Sequence, residues 1–174
     1  MNHLEQLVSE WLQYRGYFVR VSVQVGPRAN GGFEGELDVV ALNPVTAHLL
    51  HVECSLDALS AEQREQRFKA KFERGRRYIK DAFRGVPIPD KLEQIIVLQF
   101  ASGAVRTVGG VRLVTAREFV HEMIAGLEGT SPARKAVPST LPLLRTVQLV
   151  VDASRAPAAN QAEHRLIRPD QPSN

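Results

Sequence analysis

The stretch EGELDVVALNPVTAHLLHVECS, residues 34–55, carries two apolar runs, each interrupted by an acid, with Asn43-Pro44 between them. Glu34–Leu42 and Ala47–Cys54 read as β-strands, because apolar and acid-bearing positions alternate along both. Asn43-Pro44 stops the first strand. Folding back there brings Asp38 and Glu53 near one another. An acid inside an apolar strand is costly unless it has a partner or a task. Two neighbouring carboxylates repel, and a divalent cation relieves that repulsion. Hard oxygen ligands favour Mg²⁺ or Mn²⁺ over softer metals.

Outward from this pair, Leu4, Leu7, Val8, Trp11 and Leu12 follow helical spacing, so residues 3–14 read as an amphipathic helix closed by Gly16. Tyr17–Val25 is a strand by its β-branched and aromatic content. Gly26-Pro27 and Asn30-Gly31-Gly32 mark the loop that follows. Ser60 with Gln63 forms a capping-box pattern opening a long helix that runs to Phe83 and ends at Gly85. Gln94–Phe100 reads as a buried strand, Val111–Val114 as a short one, and Arg117–Leu127 as a helix ended by Gly129. Gly109-Gly110 reads as a turn and Trp11 as core. The order predicts an α/β fold: a mixed central β-sheet flanked by helices, with a three-strand meander and a helical crossover to a parallel strand. Residues 1–129 form one domain, 130–142 a linker, 143–151 an apolar segment that docks as strand or helix, and 152–174 a disordered tail.

The 174 residues have a net charge of +3 and one cysteine, Cys54. A disulfide framework and a Cys-rich zinc module are excluded, and a reducing compartment fits. No apolar run approaches the length of a membrane span. The first thirteen residues carry two acids and no Lys or Arg, unlike a secretory signal, so a soluble cytoplasmic protein is expected. The charge is unevenly spread. Residues 1–58 hold three Lys/Arg against seven acids, whereas residues 62–84 hold nine against four. An acidic half beside a basic helix suits a site that gathers a cation and meets a polyanion, although a solvated basic face has the same composition.

This arrangement resembles the PD-(D/E)XK nuclease superfamily over roughly residues 1–115. The resemblance implies a restriction-endonuclease-like α-β-β-β-α-β core in which Asp38 is the metal-binding Asp and Glu53 the acid of E-x-K. Glu36 supplies the frequent E-L-D-V form, and Glu5 matches the acid that many members carry on the first helix. Glu5 lies at the edge of that helix's apolar face, while Glu10 points well away. The chain departs from the pattern at Ser55, where the family has Lys. Ser55 shares a strand face with Glu53, so the cation must come from elsewhere. Some members supply it from a neighbouring helix. Phe68, Phe72, Gly75 and Ile79 share one face of the long helix, and Lys71 lies about 60° from that stripe. Its flexible stem can follow apolar surface into the site, so Lys71 is preferred to Lys69.

The resemblance implies a metal-dependent nuclease acting on DNA. Asp38 and Glu53 would hold Mg²⁺ or Mn²⁺ with Glu36 or Glu5 completing the shell, and Lys71 and Ser55 would act on the attacking water. Arg64, Arg67, Arg74 and Arg77 would contact backbone phosphates, and a homodimer would suit cutting of two strands. Two alternatives stay open: a binding module of the same fold that has lost its chemistry, and a scaffold whose Asp38 and Glu53 are satisfied by arginines. Other chemistries are less supported. His51 and Cys54 point to opposite strand faces and cannot form a dyad, His51 reads as structural or as lining the site, and no P-loop pattern occurs.

Overall fold

A computed structural model describes residues 1–101 and 105–154. The chain builds a six-stranded mixed sheet flanked by helices on both faces. Helix α1 (His3–Tyr14) precedes β1 (Phe18–Pro27), β2 (Phe33–Asn43) and β3 (His48–Ser55). Helix α2 (Ala61–Ala82) then crosses to β4 (Leu92–Leu98), followed by β5 (Thr107–Val108), β6 (Val111–Thr115), α3 (Ala116–Leu127) and α4 (Pro142–Ala153). The strand order is β1-β2-β3-β4-β6-β5. β1, β2 and β3 form the antiparallel meander, and the α2 crossover makes β4 parallel to β3. β4 sits two residues earlier than its apolar run suggests.

Among the described residues, α2 is the one helix on its face of the sheet. Phe68 and Phe72 pack with Ile96, Leu98, Val108 and Leu113, and each such side chain contributes about 1.5–3 kcal/mol through burial. Ile79 and Ala82 pack instead with Val23, Val25, Leu37, Val40 and Leu49. The helix therefore passes diagonally from β4 and β6 to the β1–β2 hairpin. Its Ser60–Gln63 capping box is formed as the sequence predicts. The opposite face carries α1, α3 and α4 over Val39, Ala41, Leu50, Val52 and Val97, with Trp11 and Met123 at the centre. Among the described residues no helix is long and apolar enough to cross a membrane.

Four features depart from the sequence reading. The β5 strand escapes the sequence reading because a two-residue strand has no periodicity to detect. Residues 130–142 include a single 3₁₀ turn, Pro132–Arg134, while 143–151 dock as the helical alternative, within α4, which meets α1 and α3 through Leu144 and Val147. The helix continues through Ala153, past the expected start of the tail; residues 155–174 lie outside those described. Finally, Glu10 does not point to solvent. It is 4% exposed, because α4 lies over that side of α1. Its Oε2 accepts the Leu144 N–H at 2.8 Å and its Oε1 accepts from Gln6 Nε2 at 2.9 Å.

Helix α4 has Leu141 at its N-cap and no side-chain cap of its own, so Glu10 satisfies an orphan N–H and meets the positive end of the helix dipole. Glu10→Ala is expected to cost about 1–2 kcal/mol, as loss of a cap does, lowering the melting temperature by roughly 2–4 °C per kcal/mol. Glu10→Gln, which keeps an acceptor, should recover most of the loss in a thermal or urea melt.

Candidate functional site

The site forms where β2 parts from β3. Their ladder ends at the Val39–Val52 pair, leaving Asp38 and Glu53 just beyond it. On the other side of β2 the β1 register skips between the Val21–Val39 and Val23–Leu37 pairs at Ser22, whose φ is +51°. Both strands change face at this point. Val21, Val39 and Ala41 pack under α1, whereas Val23, Val25 and Leu37 pack under α2. The switch leaves Asp38 free to turn along the edge of β3, where its Oδ2 accepts the Cys54 N–H at 2.9 Å.

Lys71 joins the two acids. Its Nζ donates to Asp38 Oδ1 at 2.9 Å, to Asp38 Oδ2 at 3.1 Å, and to Glu53 Oε2. The ammonium sits 5.8 Å from the centroid of the Phe68 ring, and the side chain is 19% exposed. Glu53 itself is 0% exposed. Its other oxygen, Oε1, bonds His51 Nε2 at 2.8 Å. His51 Nδ1 meets Gln94 Nε2 at 3.0 Å, Gln94 Nε2 also donates to the Phe72 carbonyl at 3.0 Å, and Gln94 Oε1 accepts from Arg76 at 2.7 Å. The Arg76 and Phe72 bonds fix the Gln94 amide, so His51 Nδ1 accepts and Nε2 carries the proton donated to Glu53.

The charges are unequal. Burial and the neighbouring Glu53 charge push the Asp38 carboxyl up to about 7, against the pull of Lys71. Burial also pushes Glu53 up, but the His51 bond and the Lys71 charge outweigh it and hold Glu53 at about 2. Burial depresses the Lys71 ammonium, yet Glu53 and Asp38 overcome this and raise its pKa. One carboxylate is thus firmly ionised, and the other releases its proton near neutrality.

Helix α2 reaches this depth because residue 75 is glycine. A Cβ there would stand 2.3 Å from His51 Nδ1 and 2.8 Å from Gln94 Nε2. The close approach sets Lys71, one turn earlier, over Glu53. Lys69 is exposed, and the turn at Gly109 packs against its backbone.

The remaining expected residues are placed as follows. Ser55 is buried on the Glu53 face, but its Oγ accepts the Asp57 N–H at 3.1 Å. Glu36 bonds Gln24 across the hairpin at 2.6 Å. Glu5 closes the capping box of α1, accepting from Asn2 N at 3.0 Å and Asn2 Nδ2 at 2.6 Å. Neither joins the cluster, and among the described residues no three His, Cys, Asp or Glu side chains gather for a metal. An N3 glutamate is consumed locally by its own cap, and Glu36 falls on the far face because the strand has switched phase. Arg64 donates to the Leu59 carbonyl at 3.0 Å, Arg67 pairs with Asp57 at 2.7 Å, and Arg77 pairs with Glu34 at 3.4 Å. The Arg74 guanidinium lies against Gly35, where a Cβ would be 2.6 Å away. Arg64, Arg67, Lys71 and Arg74 share one stripe of α2. Gln94 and Arg76 were missed, since a single Gln in an apolar strand is only a weak signal.

Gly75→Ala is expected to destabilise the protein by about 1–3 kcal/mol in a denaturant melt, despite alanine's better helix propensity, because the buried His51 ring must move. A pH effect follows from Asp38. Its pKa rises on folding from 3.8 to about 7, so the folded chain holds that proton more tightly than the unfolded chain. Stability from this group therefore falls as pH rises through that interval. Glu53, lowered from 4.5, acts oppositely, but its contribution is complete above its unfolded value. Between about pH 5 and 7.5 the Asp38 loss dominates. Asp38→Asn should remove that decline and raise the melting temperature at about pH 8, by roughly 2–4 °C per kcal/mol relieved.

No protein-family model and no curated protein sequence matches the chain, so its function is read from the geometry of its own residues.

Proposed function

We propose that the protein is a metal-dependent nuclease of the PD-(D/E)XK type, with a restriction-endonuclease-like core, hydrolysing phosphodiester bonds in DNA in the cytoplasm. The observation that carries this reading is the convergence of Asp38 and Glu53 on one cation, the Lys71 ammonium. Two hard carboxylates meeting at a cation suit Mg²⁺ or Mn²⁺, which keep several waters and accept few protein ligands. With Glu5 and Glu36 engaged elsewhere, water and substrate phosphate would complete the shell.

Asp38 and Glu53 would hold the metal, which when bound would polarise the phosphate and acidify the attacking water. The chain's own residues do the rest. Cys54 N–H and His51 Nε2 each hold one carboxylate oxygen, so Asp38 and Glu53 keep their orientation whatever occupies the site. Lys71, already charged at the site, orients water and stabilises the negative charge that develops on phosphorus-bound oxygen. Arg64, Arg67 and Arg74, on the same stripe of α2, with Arg77 beside them, contact backbone phosphates and confer affinity without sequence choice.

A second reading has its own support. Lys71 already neutralises the two carboxylates, and Ser55 brings no cation, as in a module that binds nucleic acid or protein without cutting. Supercoiled plasmid with Mn²⁺ separates the two. The parent should nick it, Asp38→Ala should not, and Lys71→Ala should be slower by on the order of 10²-fold. Mn²⁺ should raise the melting temperature of the parent and of Lys71→Ala, but not of Asp38→Ala. DNA binding without nicking would favour the module.

A further inference from the structure

On the opposite face of the sheet, at the other end of β3, a cleft of about 830 Å³ opens between α1 and α3. Its wall carries Trp11, Leu50, Ile95 and Phe119, and a polar row crosses its floor. The Tyr17 hydroxyl lies 2.6 Å from His48 Nδ1, and His48 Nε2 lies 2.9 Å from Glu93 Oε2. Arg112 steadies Glu93 through Oε1 at 3.3 Å. Glu93 only accepts, so the proton sits on His48 Nε2 and Nδ1 receives the Tyr17 hydroxyl. This is a hydroxyl, a base and an orienting carboxylate in bonded sequence, the arrangement by which proteins activate weak oxygen nucleophiles. We propose that Tyr17, His48 and Glu93 form a second reactive centre, in which the Tyr17 oxygen accepts the acyl group of a small activated ester held in this cleft.

The proposal is independent of the nuclease reading. Tyr17 is half-buried and lines the cleft beside its apolar wall, so a short acyl chain lies next to the phenol. Asn43 also lines the cleft. Its Oδ1 is occupied by the N–H groups of Val45 and Thr46, at 3.0 and 3.1 Å, which leaves its amide NH₂, beside Gly16, as a donor for the acyl oxygen. Burial and the Glu93 charge raise the Tyr17 pKa, so a free phenolate is disfavoured and the proton leaves as the new bond forms. The phenol oxygen attacks the acyl carbon, its proton passes to His48 Nδ1, and the bond from the acyl carbon to the leaving group breaks. The leaving group departs with that proton. The product, O-acyl Tyr17, is a phenyl ester, which water cleaves to the carboxylic acid and the free phenol.

The three tyrosines of the chain supply internal references. All are half-buried; Tyr14 stacks near Trp11 and Tyr78 donates to Glu34 at 2.8 Å, so neither faces a histidine. Full-length protein treated with N-acetylimidazole at neutral pH, with acetylation sites quantified by mass spectrometry, should acetylate Tyr17 about 10²-fold faster than Tyr14 or Tyr78, the lower range of what a positioned base supplies. His48→Gln should bring Tyr17 down to the Tyr14 rate, and Glu93→Gln should slow it as well. A Tyr17 rate less than about tenfold above Tyr14 in the parent overturns the proposal, and that comparison needs no variant to fold. A folded His48→Gln protein that keeps the parental Tyr17 rate overturns it too.

Discussion

Two carboxylates buried side by side impose the main constraint on this fold. Neither Asp38 nor Glu53 can be ionised cheaply in that position. The chain answers with one ammonium shared between them, one imidazole on the far side of Glu53, and one backbone N–H on Asp38. The solution is asymmetric. Glu53 receives His51 as well as Lys71 and stays ionised, while Asp38 is left with the larger share of the repulsion. Removing a partner from such a group costs more than the pair contributes net.

The packing of α2 is subordinate to that cluster. A glycine in the middle of a 22-residue helix costs about 1 kcal/mol relative to alanine. It persists at position 75 because the helix backbone passes directly over His51 and Gln94. On either side of that crossing the helix is anchored by aromatic and aliphatic side chains, Phe68 and Phe72 on one side and Ile79 on the other. The two anchors fix the rotation of the helix, and that rotation sends Lys71 inward and leaves Lys69 in water.

Much of this was legible in the sequence. The meander, the crossover helix, its cap and its buried stripe follow from periodicity and from Ser60, Gln63 and the phenylalanines, all of which are local signals. The proximity of Asp38 and Glu53 follows from a turn at Asn43-Pro44, whereas Lys71 is brought to them by the family resemblance, with a helical wheel choosing it over Lys69. What sequence could not supply was the use to which individual polar atoms are put. Glu5 looked available and is taken by its own helix cap. Glu10 looked solvent-facing and is covered by a helix more than a hundred residues away, an interaction with no local trace. Glu36 enters the metal shell only through the E-L-D-V form that the resemblance supplies, and the phase reversal of β2 near Asp38 turns it toward Gln24 instead. Phase changes of this kind leave the apolar composition of a strand untouched, so composition cannot reveal them.

The placement of the lysine on α2 rather than on β3 changes what keeps the centre assembled. A side chain on an inner strand is held by ladders on both sides and leaves only when the sheet unravels. Lys71 is held by the seating of α2, the one helix on that face among the described residues. Any partial lifting of α2 withdraws the ammonium while the two carboxylates stay on the sheet, and Asp38, left facing Glu53 without it, holds its proton more tightly still. The hold of the two carboxylates on their ammonium is thus coupled to the local opening free energy of α2.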